Sequence, residues 1–198
     1  TVMPDADRHG PRRFDHHAPD PVRFDGGEAL VFLGSLLGDT SPVTTFTPLV
    51  GAEIRLEAGA SISIDVDPSH EHGLLLDAGD IDLEGIPVAP GELAYTGTGE
   101  QRLRIRNNGD DRARLILIGG EPFDEEIVMW WNFIGRDHDE IAQYRAEWQD
   151  QTDRFGHTRG YISHDPEGLT WLPAPDLPNA ALTPRTNPAP VARPEKRI

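Results

Sequence analysis

The chain has 198 residues, with 34 acidic against 18 basic side chains, a formal charge of −16 and no cysteine. That balance excludes disulfides, thiolate metal sites and cysteine nucleophiles, and it opposes nucleic-acid binding, which needs a basic footprint. The apolar runs, that around Ile116–Leu117–Ile118 among them, are far too short to span a bilayer, and no leader pattern opens the chain. A cytoplasmic protein without membrane or nucleic-acid partners is therefore expected.

Residues 1–27 are polar, rich in Pro, His, Asp and Arg, with only Phe14, Val22 and Phe24 as isolated apolar residues. They read as an extended arm or linker. From Glu28 the pattern becomes that of strands. Ala29–Leu33 is a compact apolar run. Ala52–Glu57 and Ser61–Val66 alternate with period two, which marks a sheet with one buried face and one wet face. Further short strands are predicted at 73–76, 81–83, 92–95, 102–106 and 113–118. Turns fall at Ala58–Gly59, Ala78–Gly79, Pro90–Gly91, Gly97–Thr98–Gly99 and Asn108–Gly109–Asp110. Asn-Gly suits a tight hairpin. So many short strands with no intervening helix argue for an all-β sandwich or closed barrel and against a parallel α/β sheet.

One helix is well signalled, over about 137–149. Asp137 can cap it, Glu140 completes a capping box, and Ile141, Tyr144 and Trp148 form one apolar stripe. Beyond Gly156 the chain turns irregular. Seven prolines among the 26 residues from Pro173 to Ile198 predict an extended tail that buries little. The expected organisation is an arm over 1–27, a β-barrel over 28–135, a helix packed on the barrel over 136–156, and an irregular, proline-rich tail over 157–198.

Several segments together resemble the carboxy-terminal half of a pirin-family protein: Pro4-Asp5-Ala6-Asp7-Arg8-His9, Pro48-Leu49-Val50-Gly51-Ala52, Ala89-Pro90-Gly91-Glu92-Leu93, and the aromatic-acidic block from Gly119 through Gly135. The resemblance covers roughly residues 4–150. It implies a cupin-like barrel (a double-stranded β-helix) with one carboxy-terminal helix. It also implies a two-barrel protein with a divalent metal in the first barrel and none in the second, some members being similar to quercetin dioxygenases. No segment here corresponds to the first barrel, so Thr1 reads as a fragment or processing boundary, and docking to a separate or missing amino-terminal cupin domain is implied.

A cupin metal site places His-x-His on one strand, a carboxylate shortly after and another His two strands on. Residues i and i+2 point to the same face, so two imidazoles converge inside the barrel. The partial match here is His70-Glu71-His72 with Asp77 five residues later. On a regular strand Asp77 points away from the pair unless the strand bulges. By this alignment the downstream His and Glu are replaced by Arg102 and Arg104, whose guanidinium groups would face inward and repel a metal. Two readings stay open for His70, His72 and Asp77: a structural pair at a barrel rim, or a site for Fe, Ni, Zn or Mn. No cofactor is expected on the first reading. The adjacent His16 and His17 point in different directions and read as linker residues.

Trp130, Trp131 and Phe133 read as a lid over one barrel end, as the wall of an apolar pocket, or as a docking surface. The leading functional reading is a metal-free barrel with a structural, docking or small-molecule-binding role, as a monomer or small homo-oligomer. The alternative is a metal-dependent, quercetinase-like dioxygenase acting on an apolar aromatic. In that case His70, His72 and Asp77 hold the metal and the tryptophan block lines the pocket.

Overall fold

Strand alternation in the sequence becomes a pair of facing sheets in the computed structural model, which describes residues 2–11 and 13–185. The strands, in chain order, are β1 (Val22–Phe24), β2 (Gly27–Leu33), β3 (Ser35–Leu36), β4 (Asp39–Thr40), β5 (Leu49–Leu56), β6 (Ser61–Asp65) and β7 (Glu71–Ala78). They continue as β8 (Ile81–Leu83), β9 (Ile86–Val88), β10 (Leu93–Thr96), β11 (Arg102–Asn107), β12 (Ala113–Gly120), β13 (Val128–Trp130) and β14 (Phe133–Gly135), before the helix α1 (His138–Gln149). The chain divides into two compact units, one spanning Met3–Phe123 and one beginning at Asp124.

In the first unit a six-stranded antiparallel sheet, in the order β1-β2-β5-β12-β7-β10, faces a four-stranded sheet, β6-β11-β8-β9. Each strand sends alternate side chains inward. Ala29 and Val31 from β2, Ile54 and Leu56 from β5, Leu74 and Leu76 from β7, and Leu115 and Leu117 from β12 meet Ile64, Ile81, Leu103 and Ile105 from the smaller sheet. All are essentially inaccessible to solvent, so the space between the sheets is a packed core.

Two expectations change here. Val22 and Phe24 are not loose arm residues, because β1 pairs with β2 through Val22↔Ala29 and Phe24↔Gly27 and adds an edge strand. Nor does Asn108–Gly109 close a hairpin. β11 pairs with β6 and β8, β12 pairs with β5 and β7, and the turn carries the chain from one sheet to the other. Asn107, fully buried, holds that crossover. Its Nδ2 donates toward the carbonyls of Leu56 (3.1 Å), Glu57 (3.0 Å) and Asp111 (2.8 Å), and its Oδ1 accepts from the Gly109 N–H (3.0 Å). A buried amide so engaged has both its N–H hydrogens and its oxygen occupied by backbone at the crossover.

The second unit is built on the β13–β14 hairpin and α1. Asp137 caps the helix by accepting from the Glu140 N–H at 2.9 Å, and Glu140 reaches back to the Arg136 N–H at 2.7 Å. Ile141 and Tyr144 are buried with Val128 and Phe133, and Trp130, Trp131 and Trp148 pack around them. The segment over 157–185 contains no helix or strand, only a bridge between Arg185 and Ile127. It is nonetheless tied to the helix, although most of its residues stay exposed, as the proline content predicts. Trp148 Nε1 donates to the Leu172 carbonyl (2.7 Å), Arg145 to the Pro175 carbonyl, and the Ala174 N–H to Gln149 Oε1 (2.8 Å). Ala174, Leu177 and Leu182 complete the apolar cluster. The remainder of the proline-rich tail, residues 186–198, lies outside the described residues.

Candidate functional site

His70 and His72 are brought together as the i, i+2 spacing requires. His72 begins the inward row of β7, continued by Leu74 and Leu76. His70 lies just before the strand, and the two ring centroids are 6.1 Å apart. His72 is 2% exposed, and neither of its ring nitrogens has a hydrogen-bond partner; the Thr96 hydroxyl on β10, whose residue pairs with His72, is likewise unpartnered. Gly119 of β12 lies opposite His72, and a Cβ there would come within 3.0 Å of the imidazole Cδ2 and 2.5 Å of the Glu71 carbonyl. That glycine makes room for the ring. Burial first, and then the neighbouring His70, hold the His72 imidazole below its ordinary pKa, against the opposing pull of Asp67 and Glu100.

Asp77 does not join them. The register between β7 and β12 slips where Leu115 pairs with Leu76 and Arg114 with Ala78, leaving Asp77 as the extra residue of a bulge. Its exposed carboxylate lies 3.2 Å from Arg114 on the outer face of the sheet. Arg102 and Arg104 also differ from expectation. They lie on the outward face of β11, because Leu103 and Ile105 take the inward positions. Arg102 pairs with Asp65 (2.7 Å) and Arg104 with Glu84 (3.3 Å), both in water. Neither of these two guanidinium groups enters the core, so neither stands where it would repel a metal. Among the described residues, no three His, Asp or Glu side chains are placed to share an ion.

The outer face of the six-stranded sheet carries a feature that strand periodicity in single segments did not reveal. Register aligns Leu93, Leu75 and Ile116 in one cross-strand row, and Tyr95, Gly73 and Ile118 in the next. The second row continues to Gly51 of β5, over which the Phe32 ring lies. Leu75, Leu93, Tyr95 and Ile118 are 36–54% exposed. Residues that alternate inward and outward in each strand thus form, across strands, an apolar band on a face that an antiparallel sheet usually leaves polar. At its edge the Tyr95 hydroxyl donates to Glu71 at 2.7 Å.

The aromatic block occupies the hairpin of the second unit. Trp131 adopts a left-handed backbone (φ 51°), unusual for a bulky residue, and its ring packs on Phe133 (5.2 Å between centroids) and Trp148 (6.0 Å). Trp130 stacks near Phe133 at 6.4 Å. These rings are largely the core of the unit. A cavity of about 470 Å³ opens beside them, but its aromatic walls are Trp148, Phe155, Tyr161 and Trp171. Three of those four were missed because they lie on irregular chain, where no periodicity flags them.

Residues 51–156 match the family profile described as the Pirin C-terminal cupin domain. The chain belongs to the pirin family. It is 38% identical over 144 residues to a Pseudomonas aeruginosa protein provisionally named a quercetin 2,3-dioxygenase, covering 72% of this chain and 45% of that one. It is 27% identical over 149 residues to the pirin of Mus musculus, covering 73% and 51%. Its fold superposes on a crystal structure of quercetin 2,3-dioxygenase from Acinetobacter baumannii with a TM-score of 0.79 at 32% identity, covering 90% of this chain and 57% of that one. The chain spans about half the length of these relatives. The pirin-family β-structure is therefore a cupin sandwich followed by one helix. Among the described residues no helix is long and apolar enough to cross a membrane.

Proposed function

We propose that this chain is a metal-free cupin half whose work is to dock, through the outer face of its six-stranded sheet, onto a second barrel that carries the chemistry. One observation carries the reading: the space between the sheets is filled. Leu74, Leu76, Leu103, Ile105, Leu115 and Leu117 occupy the interior at 0–1% exposure, and among the described residues no third His, Asp or Glu is placed to share an ion with the His70–His72 pair. A catalytic cupin needs an open interior and at least three converging ligands. The apolar band of Leu75, Leu93, Tyr95 and Ile118 is the surface suited to a partner, because burying it removes apolar area from water, with Glu71 beside Tyr95 and Glu53 opposite Ile116 at its margins. That the matched relatives are about twice as long is consistent with a second half.

Co-expression with the part of the Pseudomonas relative that lies outside the match tests this. The two chains should co-elute in size-exclusion chromatography, and Leu75→Asp with Ile118→Asp should separate them. Co-elution that survives both substitutions, or no co-elution from the unsubstituted chain, removes the docking role.

A second reading, a quercetinase-like dioxygenase, is favoured by the unpartnered imidazole of His72, one nitrogen of which a metal would engage. Elemental analysis after growth with added iron, nickel, zinc and manganese decides between the two. The first reading expects far less than one ion per chain. Near-stoichiometric metal that disappears in the His70→Ala, His72→Ala double variant establishes the second.

A further inference from the structure

We infer that the aromatic cavity of the second unit is a binding site for a neutral saccharide ring. The cavity, about 470 Å³, is of the size that holds a small ligand. Its walls are the rings of Trp148, Phe155, Tyr161 and Trp171. Trp148 is fixed from both sides, edge-on to Phe155 at 5.4 Å and to Trp171 at 6.0 Å, with its indole N–H held by the Leu172 carbonyl. Two ring contacts and one hydrogen bond thus set the orientation of the indole. Tyr161 stands 57% exposed at the opening.

Between the rings lie Gln151, Thr152, Thr158 and Thr170, with His157. Gln151 spends its amide N–H on the Trp148 carbonyl, which leaves its side-chain carbonyl as an acceptor. Among the described residues the three threonine hydroxyls, the Tyr161 hydroxyl and the Trp171 indole N–H bond to no protein group.

The chemistry of this lining selects its ligand. No Asp, Glu, Lys or Arg is among the lining residues, although the chain carries a charge of −16. An anion would find no Lys or Arg among the lining residues, only His157, which the Asp153 carboxylate already faces at 3.7 Å. A quaternary ammonium would find rings but no carboxylate among the lining residues, and the hydroxyls would go unused. A planar phenol would stack yet leave most of the threonine hydroxyls facing carbon. A pyranose meets both demands. The hydrogens of its C–H face carry partial positive charge and settle on the negative face of an indole or phenol ring. Its rim of hydroxyls, each both donor and acceptor, matches hydroxyls and an amide that are likewise both. Neutral partners with mixed polarity also keep the desolvation penalty low, since no charge is stripped of water.

The test is a tryptophan-fluorescence titration of the 198-residue chain with methyl glucoside, methyl galactoside, methyl mannoside and cellotriose, with choline chloride and resorcinol as the cationic and planar-phenol probes. At least one saccharide should give a saturable change. Trp171→Ala should weaken it by about tenfold, the worth of one good stacking contact. Trp130→Ala, outside the lining, should leave it intact. The threonine pair provides a second arm, since Thr158→Val with Thr170→Val keeps the shape and removes two hydroxyls; it should weaken saccharide binding several-fold with an unchanged circular-dichroism spectrum. No saturable response to any of the saccharides, binding unaffected in both Trp171→Ala and the threonine double variant, or saturation by choline or resorcinol alone each overturns the assignment. Should Trp171→Ala lose helical signal, the threonine double variant decides alone.

Discussion

Replacing His72 with leucine separates a structural imidazole from one that serves a bound group. The ring is 2% exposed and both nitrogens lack a partner, as does the Thr96 hydroxyl beside it. A neutral imidazole carries one donor and one acceptor. Leaving a buried polar group unpaired costs about 1–3 kcal/mol, so the two nitrogens together cost a few kcal/mol less any relief from water. Leucine is of similar size, fits beside Leu74 in the inward row of β7 and has no polar atom to strand. His72→Leu should therefore stabilise the protein at pH 7.5 by about 1–2 kcal/mol, read from urea unfolding at constant m-value. The variant should also change the pH profile. The His72 pKa is depressed in the folded state below the ordinary 6.5. The unfolded chain thus binds the proton first as pH falls, and the wild type loses stability from pH 6.5 downward, by up to about 1.4 kcal/mol per unit, until the folded group also titrates. That component should be missing from His72→Leu between pH 7.5 and 5.5. A variant destabilised by more than about 1 kcal/mol would refute the reasoning, since it would mean that the imidazole is held by favourable bonds to something the ring was folded to hold.

Other outcomes follow from the same geometry. Asn107→Ala should destabilise by about 2–4 kcal/mol in urea unfolding, because the carbonyls and the N–H that this one buried amide serves at the sheet crossover lose its bonds. Arg102→Ala with Arg104→Ala should shift stability by less than about 1 kcal/mol in total and leave metal content unchanged, since both ion pairs are exposed. A gain of bound metal in that double variant would show the guanidinium groups guarding a site. Asp137→Ala should cost about 1 kcal/mol by loss of the α1 cap, measured as a fall in the thermal midpoint, whereas Asp137→Asn should retain most of it.

The barrel was legible in the strands because period-two alternation is a local property. Ile54 and Leu56, Ile62 and Ile64, and Leu103 and Ile105 already stand on common faces in sequence. Applied strictly to β11, that rule would have turned Arg102 and Arg104 outward, because Leu103 and Ile105 compete for the inward positions and win by apolar burial. The inward pair that the family resemblance implies gives way to the periodicity of the strand. For the site, sequence spacing sufficed to join His70 and His72. It did not place Asp77, since the bulge depends on how β7 pairs with β12, some forty residues away in the chain.

What the amino-acid order determined without help was local: strand faces, the Asp137 cap, the apolar stripe of α1, the adjacency of two imidazoles and the exclusion of thiol chemistry. Tertiary structure alone decided what requires register between distant segments. It aligned Leu75, Leu93, Tyr95 and Ile118 into one apolar band, and it gathered Trp171 and Tyr161 against Trp148 around a cavity. The physical reason is range. Backbone periodicity reports which way a side chain points, whereas a surface or a pocket depends on which strangers it points beside, and only the closed chain settles that.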